Sequence, residues 1–251
     1  MLPLSVVIIA VDEADRIGDA IRSMPDAAEV VVLDSGSRDD TVAVARGLGA
    51  RVVETDWPGH VAQKNRALEH ATQPWVLCLD ADERVDADLA EAIREVLRRD
   101  DPRAGWRVRR QNVWLGHPVR GGSFGPAAHL RLARRARARW AGEDPHDVLG
   151  VDGAVGDLPG ALVHHPYRDL GEHLRTIDRY TARFVEVSRD AGRHARAVDV
   201  LVRPPWHLLR AFLFQGGWRD GVVGVALAWL GAAHVALKWG RLWLAERGGA
   251  R

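Results

Sequence analysis

Two carboxylates lie two positions apart, directly after an apolar run, and could bind a metal ion. Asp80 and Asp82 follow the apolar residues 75–79. Side chains two positions apart in extended backbone project to the same side, so we expect both carboxylates to address one divalent cation. Mg²⁺ or Mn²⁺ at this position would act as a Lewis acid towards a phosphate leaving group. The alternative interpretation is an acidic triplet on a solvated loop.

Other acidic side chains also follow apolar runs. Asp12 and Glu13 come shortly after residues 4–10, and Asp34 comes directly after residues 30–33. The Asp34 carboxylate could accept hydrogen bonds from a base or a ribose. A turn at Asp34, and a helix cap at Asp12 and Glu13, are the alternative interpretations.

The elements that must position these residues alternate between strands and helices. Continuous apolar, β-branched runs predict strands, and apolar residues at three- and four-residue spacing predict helices. Strands are predicted at residues 4–10, 29–33, 51–54 and 75–79, and helices at residues 14–24, 42–48, 60–72 and 86–99. This alternation predicts a parallel sheet with right-handed crossovers, whose ligands bind at the carboxyl ends of the strands. The acidic residues should therefore converge on one edge.

The second half of the chain has a different pattern. It predicts short alternating segments over residues 105–165, a helix over residues 169–192 and a break at residues 203–205. Residues 221–237 contain one strongly polar side chain, His234. This stretch is shorter than the roughly 20 residues that span a membrane, and tryptophans interleave with basic residues around it, so we predict a re-entrant or interfacial helix. The alternative is a helical pair packed on the rest of the chain or on a second subunit.

Charge and cysteine content restrict the partners and the compartment. The 251 residues include 34 acidic and 35 basic side chains, so no overall charge favours nucleic acid. The single cysteine, Cys78, cannot form an intramolecular disulfide, and the chain does not begin with a secretory signal pattern. We therefore expect a cytoplasmic protein.

In their order along the chain, these motifs resemble those of glycosyltransferase family 2, and within it the lipopolysaccharide-core glucosyltransferases of Gram-negative bacteria. The resemblance covers nearly the whole chain. It rests on the opening strand at residues 5–13, Asp-Ser-Gly-Ser at 34–37, Gln-Lys-Asn at 63–65, Asp-Ala-Asp-Glu at 80–83, Arg-Gly-Gly at 120–122, Pro-His-Asp at 145–147, Arg-Pro at 203–204 and Gly221. The chain departs from the family at Asp12, where Asn is more frequent, at residues 123–126, which replace a more aromatic loop, and at Asp147, where Glu is usual.

The resemblance implies a GT-A-like, Rossmann-like α/β fold with a mostly parallel sheet, flanking helices and a helical C-terminal extension. It implies an inverting glycosyltransferase that moves a sugar from a nucleotide-sugar to a lipid-linked or cell-envelope saccharide and uses Mg²⁺ or Mn²⁺. We expect a catalytic domain at residues 1–200, with a nucleotide-sugar half at 1–100 and an acceptor half at 101–200. Residues 201–251 are expected to associate with the inner face of the cell membrane, and the chain could form a homo-oligomer.

The resemblance also implies roles for individual residues. Asp82, helped by Asp80, is expected to hold the metal, and Asp147 is the first candidate for the general base that inversion requires. Glu143 and Asp144 are alternative bases, and a turn without a catalytic role is the further alternative. Contacts to the nucleotide-sugar are expected from Ala10, Asp12, Glu13, Asp34, Lys64 and Asp80.

Two other enzyme classes share parts of this pattern. A sugar nucleotidyltransferase needs a Gly-rich basic loop directly after the first strand, and a dinucleotide-binding dehydrogenase needs Gly-x-Gly-x-x-Gly there. Residues 10–16 contain no glycine, which disfavours both. A membrane-bound scaffold that kept the fold without activity is the remaining alternative, and the intact acidic set disfavours it.

Overall fold

Four parallel strands form the first half of the central sheet. In the computed structural model, which describes residues 1–142 and 147–248, β1 (Leu2–Ala10) lies between β2 (Ala27–Asp34) and β4 (Trp75–Asp80). β3 (Arg51–Glu54) pairs with the outer side of β2. Ala10 is opposite Asp34 and Ile9 is opposite Asp80, so the carboxyl ends of β1, β2 and β4 lie at one edge, as predicted.

The helices of this half cover both faces of the sheet. Successive residues of β1 point to opposite faces, with Val6 and Ile8 in one apolar cluster and Val7 in another. Buried residues of α1, α2 and α4 belong to the first cluster, and buried residues of α3 belong to the second. These helices are α1 (Ile17–Arg22), α2 (Thr41–Gly47), α3 (His60–His70) and α4 (Ala87–Arg99).

Antiparallel strands complete the sheet. β8 pairs with β4 and with β6, and β11 pairs with β5, all antiparallel. Within the described residues the sheet has nine strands, with β7 beside β6 and the others in the order β3-β2-β1-β4-β8-β6-β11-β5, while β9 and β10 form a separate antiparallel pair. The additional strands are β5 (Glu83–Val85), β6 (Gly105–Trp114), β7 (His117–Pro118), β8 (Ala127–Arg134), β9 (Ala138–Ala141), β10 (Val148–Val151) and β11 (Val155–His164). The parallel half is as predicted, and the sheet as a whole is mixed rather than mostly parallel.

The remaining part of the chain is helical. It contains α5 (Leu170–Asp190), α6 (Ala197–Leu201), α7 (Arg203–Leu209) and α8 (Gly221–Gly248). The break predicted at residues 203–205 lies one residue earlier, at Val202 between α6 and α7, and the prolines lie in the first turn of α7, where a missing backbone N–H costs nothing. α8 begins with the apolar stretch at residues 221–237 and continues eleven residues beyond it.

The chain divides into two compact units. One comprises Met1–Gln111 and the described residues from Ala127 to His164, and the other comprises Asn112–Pro126 and the described residues from His165 onward. The proposed functional division at residue 200 remains a prediction.

Candidate active site

Asp80, at the carboxyl end of β4, lies between two cations. The Nζ atom of Lys64 is 3.1 Å from Oδ1 of Asp80, and Nη2 of Arg131 is 3.0 Å from Oδ2. Burial alone would raise the pKa of Asp80, but the charges of Arg131 and Lys64 hold it well below its usual value. Asp80 is therefore a fixed carboxylate at neutral pH.

Arg131 also pairs with Glu83, which is fully buried. Nη2 of Arg131 lies 2.8 Å from Oε1 of Glu83, and Oε2 of Glu83 accepts a hydrogen bond of 3.0 Å from the backbone N–H of Asp80. Burial raises the pKa of Glu83, although the charge of Arg131 opposes this shift. Burial alone would lower the pKa of Arg131, but Glu83 and Asp80 raise it above its usual value. The three residues form one buried ionic cluster.

A strand irregularity places Arg131 at this position. Trp106 of β6 is opposite Leu132, but Arg107, the next residue, is opposite Leu130. β8 therefore contributes one extra residue, Arg131, at this point. Such a β-bulge redirects a side chain relative to its neighbours and is frequent next to active sites.

Asp82 does not share the strand of Asp80. β4 ends at Asp80, and Ala81 and Asp82 form a turn. The extended backbone assumed for both residues therefore ends at Asp80, and that the two carboxylates address one cation stays a prediction. Oδ2 of Asp82 instead lies 3.2 Å from Nε2 of His164, the last residue of β11.

Asp82 and His164 offer a divalent cation one oxygen and one nitrogen donor. Among residues 1–142 and 147–248, no three His, Cys, Asp or Glu side chains are grouped so that they could hold a metal ion by themselves. Mg²⁺ in nucleotide-dependent enzymes is commonly bound by one or two carboxylates together with substrate phosphates. The partly exposed Asp82–His164 pair fits a cation that takes its other ligands from a bound diphosphate.

Lys64 links Asp80 to the predicted base. Its Nζ atom lies 2.7 Å from Oδ2 of Asp147 and 4.4 Å from the ring centroid of Trp140. Burial alone would lower the pKa of Lys64, but Asp80 and Asp147 raise it above its usual value, so the ammonium group stays charged. The alternative bases Glu143 and Asp144 lie outside the described residues.

The helix that carries Lys64 is fixed on both sides of this residue. Nδ2 of Asn65 donates to the carbonyl of Trp140, and the N–H of Trp140 donates to Oδ1 of Asn65, each at 2.9 Å. Gln63 is fully buried, and its Nε2 donates to Oγ of Ser35 at 3.0 Å. The Gln-Lys-Asn motif thus connects α3 to β9 and to the turn after β2.

Asp34 is buried and organises the turn that follows β2. Its Oδ1 accepts hydrogen bonds from the N–H groups of Gly36, at 3.0 Å, and Ser37, at 2.9 Å, and its Oδ2 accepts one from Oγ of Ser37. These contacts agree with the turn interpretation of this residue. A contact between Asp34 and a nucleotide remains a prediction.

The chain after β1 is tied to the same turn. Asp12 has a positive φ of 55°, its N–H donates to Oγ of Ser37 at 2.9 Å, and its Oδ1 accepts from the N–H of Arg38 at 2.7 Å. The carbonyl of Ala10 accepts from the N–H of Ser35 at 3.0 Å. Glu13 forms an ion pair with Arg16 at 2.6 Å. Ala10, Asp12 and Asp34 therefore lie together, as predicted. A contact between Glu13 and the nucleotide-sugar stays a prediction.

Sequence reasoning missed Arg131 and His164, and it named Glu83 only within the Asp-Ala-Asp-Glu motif, without a role. Arg131 and Glu83 form the buried cluster around Asp80, and His164 lies against Asp82. His164 ends a strand, as Asp80 does, and this position could have marked it. The register shift that places Arg131 leaves no sequence pattern that we can identify.

The protein belongs to the α/β class whose ligands bind at the carboxyl edge of parallel strands. Here that edge carries carboxylates, and the parallel half-sheet is joined to antiparallel strands. The chain belongs to the Glycosyl transferase family 2, whose family model matches residues 5–147. It is a glycosyltransferase.

Individual relatives place it within the family. The chain is 32% identical over 243 residues to the lipopolysaccharide core biosynthesis glycosyltransferase LpsC of Rhizobium meliloti (strain 1021), covering 94% of this chain and 90% of LpsC. It is 42% identical over 97 residues to an uncharacterised glycosyltransferase of Rickettsia felis, covering 38% of this chain and 34% of that protein. The chain thus falls in the LpsC-like branch, as the motifs indicated.

The fold is also similar to that of a solved structure. The mannosyltransferase PcManGT from Pyrobaculum calidifontis, in complex with GDP-Man and Mn²⁺, superposes with a TM-score of 0.50 at 21% identity. The match covers 96% of this chain and 87% of PcManGT. The predicted GT-A-like fold is confirmed.

Proposed function

We propose that this glycosyltransferase moves a sugar from a nucleotide-sugar to a lipid-linked or cell-envelope saccharide, inverts the anomeric centre and requires Mg²⁺ or Mn²⁺. The observation that carries the proposal is the continuous arrangement of Asp80, Lys64 and Asp147, with Asp82 and His164 at the same end of the sheet. This edge is where parallel α/β sheets bind nucleotides.

The metal would be held by Asp82, with Asp80 assisting as a fixed negative charge. His164 is a further donor because its Nε2 already lies beside Asp82. When bound, the cation supplies Lewis-acid stabilisation of the donor diphosphate. That PcManGT was solved with GDP-Man and Mn²⁺ supports a divalent cation of this kind.

The protein groups would then carry the transfer. Asp147 takes the proton of the acceptor hydroxyl while the oxygen of that hydroxyl forms a bond to the anomeric carbon of the donor sugar. The bond from that carbon to the diphosphate oxygen breaks on the opposite face, and the electron pair leaves with the nucleotide. Lys64 stays charged between Asp80 and Asp147. We propose that it also offsets the negative charge that develops on the leaving group.

The nucleoside would bind over the ends of β1 and β2. Backbone groups near Ala10 and Asp12 line this edge beside the turn that Asp34 organises. Because the carboxylate of Asp34 already accepts three hydrogen bonds, we infer that it acts on the nucleoside chiefly by holding this turn. Glu13, the residue after Asp12, would also contact the nucleoside.

A lipid-linked acceptor agrees with the similarity to LpsC and with the C-terminal helices. Gly217–Arg247 is long and apolar enough to cross a membrane by length and composition. We propose that the enzyme works at the cytoplasmic face of the cell membrane, where the helical C-terminal extension associates with lipid.

The test is turnover with a defined donor. The protein is incubated with single nucleotide-sugars, Mn²⁺ and a lipid-linked saccharide extract, and released nucleotide and the anomeric configuration of the product are measured. We expect one donor to be used with inversion, and Asp82→Asn to lower kcat by about 100-fold or more, since metal-assisted charge stabilisation is worth several kcal/mol. Asp88→Asn, an exposed change at the start of α4, is the control. Full turnover by Asp82→Asn, or a product with retained configuration, would contradict the proposal.

A further inference from the structure

The exposed side of α8 is apolar along almost its whole length. Residues on this side recur at the three- and four-residue spacing of one helix face. Val222 is 85% exposed, Trp229 64% and Leu244 67%. A helix side that faces water is normally charged or polar. The exposed residues, which we call the α8 stripe, are Val222, Val225, Trp229, Ala233, Leu237 and Leu244.

The opposite side of α8 packs against other parts of the chain. Along the first half of α8, the neighbour is a non-helical segment. Leu227 packs in a cluster with Trp114 and Val119, and Phe124 lies against the same cluster. The N–H groups of Arg120 and Gly121 in this segment donate to the carboxylate of Asp220, directly before α8. The first half of α8 therefore has irregular, polar backbone beside it.

The second half of α8 is packed against α5. The rings of Phe184 and Trp239 meet edge to face with centroids 5.2 Å apart, and Leu242 is fully buried. Nη1 of Arg241 donates to the carbonyl of Asp178 at 2.9 Å. α5 carries exposed charges alongside this contact, including Glu186, whose side chain is 70% exposed.

The exposed apolar side and the packed side of α8 together restrict the orientation that this helix can adopt in a bilayer. The α8 stripe is about 33 Å long at a rise of 1.5 Å per residue, which is close to the hydrocarbon thickness of about 30 Å. If α8 crossed the membrane, the segment around Arg120 or the charged helix α5 would enter the hydrocarbon. Lipid-exposed irregular backbone does not occur there, and each central charge costs about 3 kcal/mol on insertion scales.

We propose that α8 lies in the plane of the membrane interface, with the α8 stripe towards the acyl chains and α5 towards water. This proposal rests on the membrane association proposed above and specifies its geometry. A second exposed apolar strip supports it. This strip lies on α7 and on the π-helical turn that follows it (Arg210–Phe214), with the ring centroids of Trp206 and Phe214 6.0 Å apart. Tryptophan is enriched at this interface in membrane proteins.

Charge favours a lipid surface over a second copy of the chain. Between residues 201 and 248 there are six basic side chains and two acidic ones, and two of the basic ones, Arg203 and Arg241, pair with Asp199 and Asp178 outside this range, so basic charge remains in excess. Anionic lipid headgroups attract such a segment by about 1 kcal/mol for each basic residue near the surface. Pairing two copies through this segment would instead bring like charges together.

The geometry can be measured with single nitroxide labels on the vesicle-bound protein. Labels are attached to cysteines that replace Val222, Trp229, Ala233 or Leu244, with a label at Trp57 as the aqueous control. Cys78 can remain, because burial raises the pKa of its thiol to about 12 and leaves little reactive thiolate. Depth is read from relaxation by oxygen and by a water-soluble nickel complex on phosphatidylglycerol–phosphatidylethanolamine vesicles.

An in-plane α8 predicts similar depths at all four stripe positions, about 5–10 Å below the headgroups. A maximum at Ala233 with shallow ends would show a spanning helix and overturn the proposal. Water-exposed labels at every position, or spin–spin broadening that grows with protein concentration, would show a free surface or a second copy and also overturn it.

A charged substitution in the α8 stripe tests the orientation of α8 independently of the proposed catalytic function. Trp229→Glu should lower vesicle partitioning by tenfold or more, because a carboxylate would have to enter the interface. Val187→Glu, an exposed apolar-to-acidic change on α5, is the matched control and should leave partitioning unchanged. Nucleotide binding should be the same in both variants. Unchanged partitioning of Trp229→Glu would overturn the inference about α8 without affecting the catalytic proposal.

Discussion

Arg131 determines how Asp80 and Glu83 can share one small volume. Two carboxylates so close together would repel each other, and Glu83 has no access to water. The guanidinium group contacts both and leaves Asp80 ionised. Arg131 therefore positions Asp80 for Lys64 and is not itself required to touch substrate.

Removing this arginine should destabilise the fold strongly. Arg131→Met leaves Glu83 and Asp80 without their shared cation, and loss of one partner of a buried pair costs about 3–5 kcal/mol. Arg107→Met removes an exposed pair with Asp157 and should cost far less, because water screens an exposed ion pair. Urea unfolding of both variants gives the comparison. Equal losses would show that the buried cluster does not stabilise the protein.

Individual site residues were predictable only in part. Asp80, Lys64 and Asp147 were named from strand ends and motifs, and the structure brings them together. Asp82 was named correctly as a residue of this edge, but its relation to Asp80 depends on where β4 ends. Sequence patterns do not fix strand ends to within a residue, and one residue reverses the side on which a side chain lies. Arg131 depends on a bulge, which is a property of two paired strands.

At the scale of elements, Glu29 connects the first two strands to the segment before β4. It accepts hydrogen bonds from Oγ of Ser5 on β1 and from both N–H and Oγ of Thr72. Burial alone would raise the pKa of Glu29, but these hydrogen bonds outweigh it and lower the pKa below 4.5. The ionised carboxylate is therefore the form that stabilises this connection.

This shift predicts an acid-dependent loss of stability. Because the pKa of Glu29 is lower in the folded chain, its contribution is fully present above the unfolded value near 4.5 and is lost as pH falls through the folded value. Glu29→Gln should be less stable than the wild type at about pH 7, and the difference should shrink as pH falls below the unfolded value near 4.5 and through the folded value. Denaturant unfolding at several pH values measures it, with the exposed Glu69→Gln as control. A difference that does not change with pH would contradict this role.

The elements of the parallel half could be predicted because the apolar residues of each strand or helix follow one regular pattern along the sequence. β3 has the predicted bounds, and β1, β2 and β4 each extend beyond the predicted ends by one or two residues. The antiparallel half was predicted only as short segments, because its pairing depends on contacts between residues far apart in sequence. α7 was missed because prolines were taken to break the chain, although proline is favoured in a first helical turn.

At the scale of the whole molecule, fold and family agree with the sequence motifs. Membership of glycosyltransferase family 2 rests on the match over residues 5–147 and on the similarity to LpsC over most of the chain. The choice of nucleotide-sugar and acceptor is a property of pocket shape and is not encoded in the shared carboxylates. A direct test of nucleotide and metal binding is therefore the next step.

The most direct test is the thermal stability of the protein with UDP, GDP, ADP, CMP and dTDP, with and without Mn²⁺. A ligand that binds only the folded state raises the apparent stability by about 2.7 kcal/mol at a concentration 100 times its Kd. We predict that one nucleotide raises Tm only when Mn²⁺ is present, and that Asp82→Asn abolishes this shift while its own Tm stays near that of the wild type. If no nucleotide raises Tm, or if the shift is the same without metal or in Asp82→Asn, metal-dependent nucleotide-sugar binding at this edge of the sheet is contradicted.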